Sequence, residues 1–298
     1  LTSRVFANRF WYLFFGRGIS PSLSDFGGQG QAPVNPALLD ALAVTFYESG
    51  WDVKALVRLL VTSRTYRQAS LATAEMLARD PANALVDRQS RYRLPAELIR
   101  DNALAVSGLL VDEVGGESAK PYQPAGYYQH LNFPPRKYSQ DNSANQWRRG
   151  LYVHWQRMFL HPMMKALDAP SREECTAERP RSNTPNAALV LLNDPTFVEA
   201  ARVFAHKIIT TGGDSFEQRI HYAFQHALNR DPDAEEKSIF QKLQQDSLAQ
   251  YDGHEDQASQ LGKAGISPAA TDISPADLAS WTTVARGLFN LYEFTYRN

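Results

Sequence analysis

The chain has 298 residues, of which 43% are hydrophobic and 21% are charged, with 31 basic residues against 32 acidic ones. A chain of this length can bury a full core without metal or disulfide cross-links, and a near-zero net charge argues against a nucleic-acid-binding protein. The longest apolar runs, such as residues 10–15, are too short to span a bilayer. Composition therefore predicts a globular protein with no membrane span and no nucleic-acid partner.

Charge is distributed unevenly along the chain. Residues 1–160 hold 18 basic and 13 acidic residues, whereas residues 161–298 hold 13 and 19. Of the basic residues, 23 are arginines, whose rigid guanidinium groups suit bidentate pairing with carboxylates. Two interpretations stay open: internal pairing between arginines and carboxylates, or an anionic ligand.

A capping residue followed by proline is the pattern that predicts most of the helices. Proline fits the first helical position because the N–H that it lacks would have no partner there. Apolar residues follow each pair at three- and four-residue spacing, which indicates a helix with one buried face. The predicted helix starts are Asn35-Pro36, Asp80-Pro81, Thr184-Pro185, Asp194-Pro195, Asp231-Pro232 and Ser274-Pro275.

Other local signals agree with a helical fold. Pro95 is predicted to open a helix that runs through Leu110, and Asp214 with Glu217 resembles a capping box. The best strand candidate is the segment 151–155, and even that segment can be interpreted as helix. The fold is therefore predicted to be mainly α, an irregular multi-helix domain with long loops.

Three stretches break the helical pattern: residues 16–35, 112–150 and 251–274. Loops this long in compact domains are usually functional or disordered, and aromatic residues argue against disorder in the second. Amides such as Asn132 and Gln140 lie among these aromatics, a composition that suits a carbohydrate surface. The aromatics are Tyr122, Tyr127, Tyr128, Phe133, Tyr138 and Trp147.

The domain organisation is predicted as a single helical domain over 1–298, a fragment of a larger protein. A possible subdivision gives an N-terminal helical part (1–111), a long aromatic loop and segment (112–160) and a C-terminal helical part (161–298).

The known catalytic and metal-binding patterns do not fit this chain. Asp25-Phe26-Gly27 lacks the upstream segments of a kinase, and the nearby glycines lack the strand and helix of a phosphate loop. The seven histidines form no metal-binding spacing, so no metal is expected. A single cysteine, Cys175, excludes an intrachain disulfide, and we expect its thiol to be buried.

The candidate ligand-binding residues come from two regions, and no catalytic residue is assigned. Around residue 150, aromatics alternate with Arg, Gln and His, which suits a sugar ring or an acidic glycan. The alternative is a core segment whose arginines meet acidic residues. The other region is in the N-terminal part of the chain, where we expect Asp25 to be structurally coupled to the segment 64–67. The candidates are Asp25, Arg64, Tyr66, Arg67, Trp147, Arg148, Arg149, His154 and Arg157.

Many short segments, in order, resemble a planctomycete-specific domain family of unknown function. In that family the domain typically forms the C-terminal part of large exported proteins that also carry a planctomycete cytochrome c domain. Two departures are Asn35, where such proteins have histidine, and Asn186, where they have glutamine. The segments are 4–11, 15–19, 25–27, 36–40, 50–52, 63–68, 148–152, 167–170, 174–176, 184–189, 192–195 and 288–294.

The resemblance implies an extracytoplasmic location, periplasmic or secreted, and haem only in a separate domain of the full-length protein. No cofactor is expected in this chain. Because this chain has Asn35 where the family has histidine, metal or proton-transfer chemistry is less expected at that position.

Two functions are compatible with these observations. The first is an accessory or binding module of an exported, cytochrome-associated protein, which binds an acidic polysaccharide, a partner protein or other domains of the same polypeptide. The second is a glycan-acting enzyme, with a site formed by the Asp25 loop, the loop 112–150 and the segment 148–157. A haem-docking scaffold is a third class that the sequence leaves open.

Overall fold

The structure is a computed structural model that describes residues 1–129, 135, 137–157 and 159–297. These residues are mainly helical, so the predicted fold class is confirmed. They form two compact units. The N-terminal unit comprises 1–93, 175–179 and 296–297, and the C-terminal unit comprises 94–174 and 180–295. The predicted subdivision at residues 111 and 160 stays a prediction.

Helices α1 to α3 form the core of the N-terminal unit. Trp11 and Phe15 of α1 pack with Leu39 and Phe46 of α2, and Leu60 of α3 completes this apolar cluster. The elements of the unit are α1 (Thr2–Phe15), α2 (Pro36–Glu48), α3 (Val53–Thr62), α4 (Ala74–Arg79), β1 (Tyr92–Arg93) and β2 (Tyr296–Arg297). The two short strands pair antiparallel.

The loop 16–35 is held in place by a buried amide on α1. Asn8 is fully buried, its Nδ2 donates to the Ser20 carbonyl at 2.9 Å, and its Oδ1 accepts from the Ser20 N–H at 2.9 Å. The Ser20 hydroxyl then donates to the carbonyl of Gln31. A side-chain amide therefore satisfies backbone groups that no regular element pairs.

Two cap-proline pairs in this unit have different outcomes. The start at Asn35 is confirmed, because its side chain accepts from the Leu38 N–H at 3.0 Å. The helix predicted at Asp80 is wrong. Its carboxylate accepts from the N–H groups of Ala84 at 2.9 Å and Leu85 at 2.7 Å, which fixes a turn where a helix was expected.

Helices α8 and α12 form the centre of the C-terminal unit, and nine residues of each are buried. The rings of Phe204 and Phe289 stack between them at 6.0 Å. The helices of this unit are α5 (Ala96–Ser107), α6 (Pro162–Ala166), α7 (Pro185–Asn193), α8 (Pro195–Thr211), α9 (Phe216–Leu228), α10 (Ala234–Tyr251), α11 (Glu255–Gly262), α12 (Pro275–Phe289) and α13 (Tyr292–Thr295).

The predicted starts at Thr184, Asp194 and Ser274 are confirmed, since each side chain accepts a backbone N–H at its helix N-terminus. The predicted start at Asp231 is two residues early. Helix α10 is capped by Asp233, which forms a reciprocal capping box with the residue three positions later. The helix predicted from Pro95 is present and ends at Ser107, because Gly108 adopts a left-handed conformation.

Three further expectations are wrong in detail. The capping box of α9 joins Ser215 and Gln218, one residue after the predicted pair of Asp214 and Glu217. The strand predicted at 151–155 is a 3-10 turn followed by a single parallel bridge at Val153. The stretch 251–274 contains helix α11, which was not predicted because the stretch is polar and shows no apolar stripe.

A buried carboxylate joins three parts of the C-terminal unit. Glu199 of α8 is fully buried, and its Oε2 accepts from the Tyr122 hydroxyl at 2.9 Å and from Trp147 Nε1 at 3.0 Å. Its Oε1 accepts from the N–H groups of Ile266 at 2.8 Å and Ser267 at 2.6 Å. Four donors therefore satisfy one carboxylate, as burial of a charge requires.

Arg202, nearly one turn further along α8, binds the backbone around residues 264–268 through its carbonyl groups. The guanidinium donates to the carbonyls of Ala264 at 3.2 Å, Ser267 at 2.8 Å and Pro268 at 3.0 Å. The segment 264–268 is thus held from both sides: the Glu199 carboxylate accepts hydrogen bonds from its N–H groups, and the Arg202 guanidinium donates to its carbonyls.

We expect Glu199→Gln to lower the free energy of unfolding by about 2–4 kcal/mol, because the new amide nitrogen cannot accept from both donors that now meet Oε2. Urea unfolding followed by circular dichroism measures the change. Glu235→Gln, at an exposed position on α10, is the matched control and should stay within about 0.5 kcal/mol of the parent. Equal stability of the two variants would contradict the role given to Glu199.

Candidate functional site

A groove of about 910 Å³ lies in the C-terminal unit. Its walls come from residues 122–127 and 140, from α6 and the residues after it, and from α7 with the start of α8. A cavity of this size is at the upper end of the range for ligand sites. The lining residues that the argument uses are Gln123, Tyr127, Gln140, Lys165, Asp168, Asn186, Asn193 and Asp194.

Tyr127 supplies a half-exposed aromatic ring in the groove. Its hydroxyl donates to the Leu160 carbonyl at 2.9 Å, and its ring meets those of Phe159 and Tyr128 at 6.0 Å each. The ring is therefore fixed from one side, and such an ordered face can stack on a ligand with little further loss of conformational entropy.

Amide side chains are the main polar groups of the groove. Gln140 and Asn186 are exposed, and Asn193 donates its Nδ2 to the Leu189 carbonyl at 2.9 Å. The Oε1 atom of Gln123 is buried and has no hydrogen-bond partner among the described residues. That acceptor is closed to solvent, so the exposed amides of Gln140 and Asn186 are the ones that a ligand can reach.

The two carboxylates of the groove already have structural partners. Asp168 accepts from the Ser182 N–H at 2.7 Å and from its hydroxyl at 2.8 Å. Asp194 caps α8 by accepting from the Thr196 N–H at 2.9 Å. Burial raises the pKa of Asp194, while the hydrogen bonds from Thr196 and the charge of Arg100 act in the opposite direction.

Buried arginines hold two irregular stretches that precede and follow the groove-lining residues 122–127 and 140 in sequence. Arg100 of α5 is fully buried and donates to the carbonyl of Arg148 at 2.6 Å and to that of Gln146. Arg148 is itself buried, and its guanidinium donates to the carbonyls of Glu117 and Gly115. These side chains therefore satisfy backbone carbonyls that no helix or strand pairs.

The candidates around residue 150 do not line the groove. Trp147 is bound to Glu199, and Arg148 is used by the loop carbonyls. Arg149 is exposed and pairs with Asp112 at 3.2 Å, so its partner comes from the first half of the chain and not from the acidic second half. His154 is half-buried and Arg157 is exposed.

The candidates in the N-terminal unit have separate environments. Asp25 accepts from the Gly27 N–H at 2.7 Å, as expected for a tight turn. The Tyr66 ring meets Phe15 edge-on at 6.0 Å, whereas Arg64 and Arg67 are exposed. Among the described contacts none joins Asp25 to the segment 64–67, and their coupling stays a prediction.

Some expectations fall on residues that the structure does not describe. Phe133 and Asn132 of the aromatic segment lie outside the described residues. Within the described ranges, no group of three or more His, Cys, Asp or Glu side chains could hold a metal ion. None of the helices described is both long and apolar enough to cross a membrane.

The sequence model of the family described as "PSD1: Protein of unknown function (DUF1553)" matches residues 1–244. The chain belongs to this PSD1 family. Comparison with curated proteins and with solved structures gave no match. All lining residues of the groove, from Tyr122 to Pro195, fall inside the region that the PSD1 model covers.

His161 lies beside the groove and is nearly fully buried. Its Nε2 is 2.7 Å from the Tyr122 carbonyl, whereas its Nδ1 has no partner among the described residues. Burial lowers the pKa of His161 to about 4, because the charged ring would lose its hydration, and the hydrogen bond to Tyr122 only partly offsets this. The native structure therefore holds His161 neutral.

We expect the protein to lose stability as the pH falls from about 6.5 towards 4. A histidine whose pKa is lower in the folded state than in the unfolded state stabilises the fold fully only above its unfolded pKa. The free energy of unfolding should therefore fall by up to about 3 kcal/mol across this window. His161→Gln keeps a donor for the Tyr122 carbonyl but does not titrate, so its unfolding free energy should fall less steeply. Urea unfolding at pH 7, 6, 5 and 4.5 measures both slopes. Parallel slopes would show that His161 does not contribute.

The thiol of Cys175 is exposed, so the expectation that it is buried is wrong. Its neighbours Glu173, Glu174 and Thr176 are exposed as well, and this polar stretch has no apolar side to bury. We expect a thiol reagent to label Cys175 in the native protein at close to the rate for the unfolded chain, because the sulfur is accessible. Labelling followed by mass spectrometry measures the rate. Strong protection in the native state would refute this.

Proposed function

We propose that the C-terminal unit is a polysaccharide-binding module and that the groove is its binding site. The observation that supports this most directly is the lining, which combines the fixed ring of Tyr127 with the exposed amides of Gln140 and Asn186. Aromatic faces pack on the apolar faces of sugar rings, and amides donate to and accept from hydroxyl groups. The volume leaves room for more than one sugar unit.

The charges of the lining favour a neutral sugar. Among the described lining residues, Lys165 is the one cation, and Asp168 and Asp194 are carboxylates. A sulfated or carboxylated chain would be repelled by the carboxylates, and the arginines that suggested an acidic ligand lie outside the lining. Binding should therefore depend on stacking and hydroxyl contacts more than on ionic strength.

Binding fits the groove better than hydrolysis does. A glycoside hydrolase of the usual kind uses one carboxyl group as an acid and a second as a base or nucleophile. Asp168 is occupied by Ser182, and Asp194 is occupied as a helix cap. Both carboxylates thus have hydrogen bonds that the fold itself needs, which supports a binding role.

The same proposal includes the setting of the module. We infer that the unit works outside the cytoplasm, as part of an exported polypeptide that carries haem in another domain. The sequence resemblance supports this setting. In that arrangement the groove would hold a polysaccharide close to the other domains of the same polypeptide.

Affinity gel electrophoresis tests the proposal with xylan, dextran and dextran sulfate as probes. We expect retardation by a neutral polysaccharide, with Tyr127→Ala weakening it about tenfold, the effect of losing roughly 1.4 kcal/mol of stacking. Tyr127→Phe should keep most of the binding, because it keeps the ring.

Tyr292→Ala is the matched control, since this tyrosine is 49% exposed on α13 and does not line the groove. It should bind like the parent. The proposal is wrong if no neutral polysaccharide retards the protein, or if Tyr127→Ala binds as well as the control. Retardation by dextran sulfate alone would instead support the acidic-ligand expectation.

A further inference from the structure

A second cavity, of about 190 Å³, lies inside the N-terminal unit. The rings of Trp11 and Phe15 and the side chain of Leu38 form its apolar side. Val34 and Leu85, which are 42% and 65% exposed, border it as well, so the cavity is reachable from solvent. An apolar cavity of about 150 Å³ is enough to bind benzene, so one ring or a short branched chain fits here.

Another part of the lining is a turn in an unusual backbone conformation. Asn83 and Val86 both line the cavity and have positive φ angles of 50° and 53°. This region is uncommon for any residue with a side chain and is a genuine outlier for a β-branched one. Strain of this kind persists only where the surroundings enforce it, and it concentrates at binding sites.

Several hydrogen bonds enforce that conformation. The Asp80 carboxylate accepts from Ala84 and Leu85, and Gln68 Nε2 donates to the Val86 carbonyl at 3.0 Å. Arg88 donates to the Asp80 carbonyl at 3.0 Å. The wall is therefore built in advance and does not need a ligand to order it.

Two polar groups of the lining have unused hydrogen-bonding capacity. The Oδ1 atom of Asn83 is buried and has no partner among the described residues, although its Nδ2 donates to Arg88 and Ser90. Arg17 lines the cavity and is half-buried, and its one described hydrogen bond is a long one, 3.5 Å, to the Ala82 carbonyl. A guanidinium has five N–H donors, so most remain for a ligand.

We propose that this cavity binds a small organic acid, with an aromatic or branched aliphatic body against Trp11 and Phe15 and a carboxylate on Arg17. Charge complementarity decides the class, because Arg17 is the one charged side chain among the described lining residues and it lies beside the aromatic rings. The site lies in the N-terminal unit and is independent of the groove in the C-terminal unit.

Titration calorimetry with 3-hydroxybenzoate and its neutral counterpart 3-hydroxybenzamide tests this site. We expect the acid to bind the parent about tenfold more tightly than the amide, as one charge-assisted contact supplies. Arg17→Gln should remove that preference while leaving amide binding unchanged. Ala84→Phe, which fills the cavity from its wall, should abolish binding of both probes.

Arg9→Gln is the matched control, because Arg9 is an exposed arginine of α1 that does not line the cavity. Melting curves of each variant report whether it folds. The proposal is overturned if the acid does not bind the parent at millimolar concentration, if acid and amide bind equally, or if Arg17→Gln binds the acid as the control does. Unchanged binding by a folded Ala84→Phe would place the probe elsewhere and also overturn it.

Discussion

Buried charged side chains supply the hydrogen-bond partners of two irregular stretches, around residues 115–117 and 146–148, that precede and follow the groove-lining residues 122–127 and 140 in sequence. Arg100 and Arg148 donate to loop carbonyls, while Glu199 accepts from Tyr122 and Trp147 of the same region. A buried carbonyl or N–H without a partner costs as much as a lost hydrogen bond, so these contacts stabilise both stretches in their packed positions. The helices supply the frame, and the buried charged side chains fasten these stretches to it.

The sequence predicted the fold class and four of its six cap-proline helix starts, because a cap followed by proline is a local signal of a few residues. The failure at Asp80 shows its limit. There the cap-proline pair is followed by a turn and not by a helix. Leu85 is exposed, so no apolar stripe is buried that would stabilise a helix. Helix α11 was missed for the opposite reason, because it buries Ala258 against α12 and has little apolar pattern of its own.

The candidate site was predictable only in part. Aromatic and amide composition pointed to the segment 112–150, and Tyr127 and Gln140 from it do line the groove. The other walls come from α6 and α7, which are distant in sequence, and no local pattern shows that they converge. Residue type also could not tell that Arg148 meets backbone carbonyls and not a ligand, because a guanidinium suits both equally well.

The N-terminal unit is discontinuous in sequence, and this affects how the protein is made. Strand β2 belongs to that unit, and Arg297 donates to the Phe14 carbonyl and the Tyr92 hydroxyl and lies 4.6 Å above the ring of Tyr66. During vectorial synthesis the first 93 residues emerge long before residue 297 does. Strand β1 therefore lacks its partner β2 until the whole C-terminal unit has been translated.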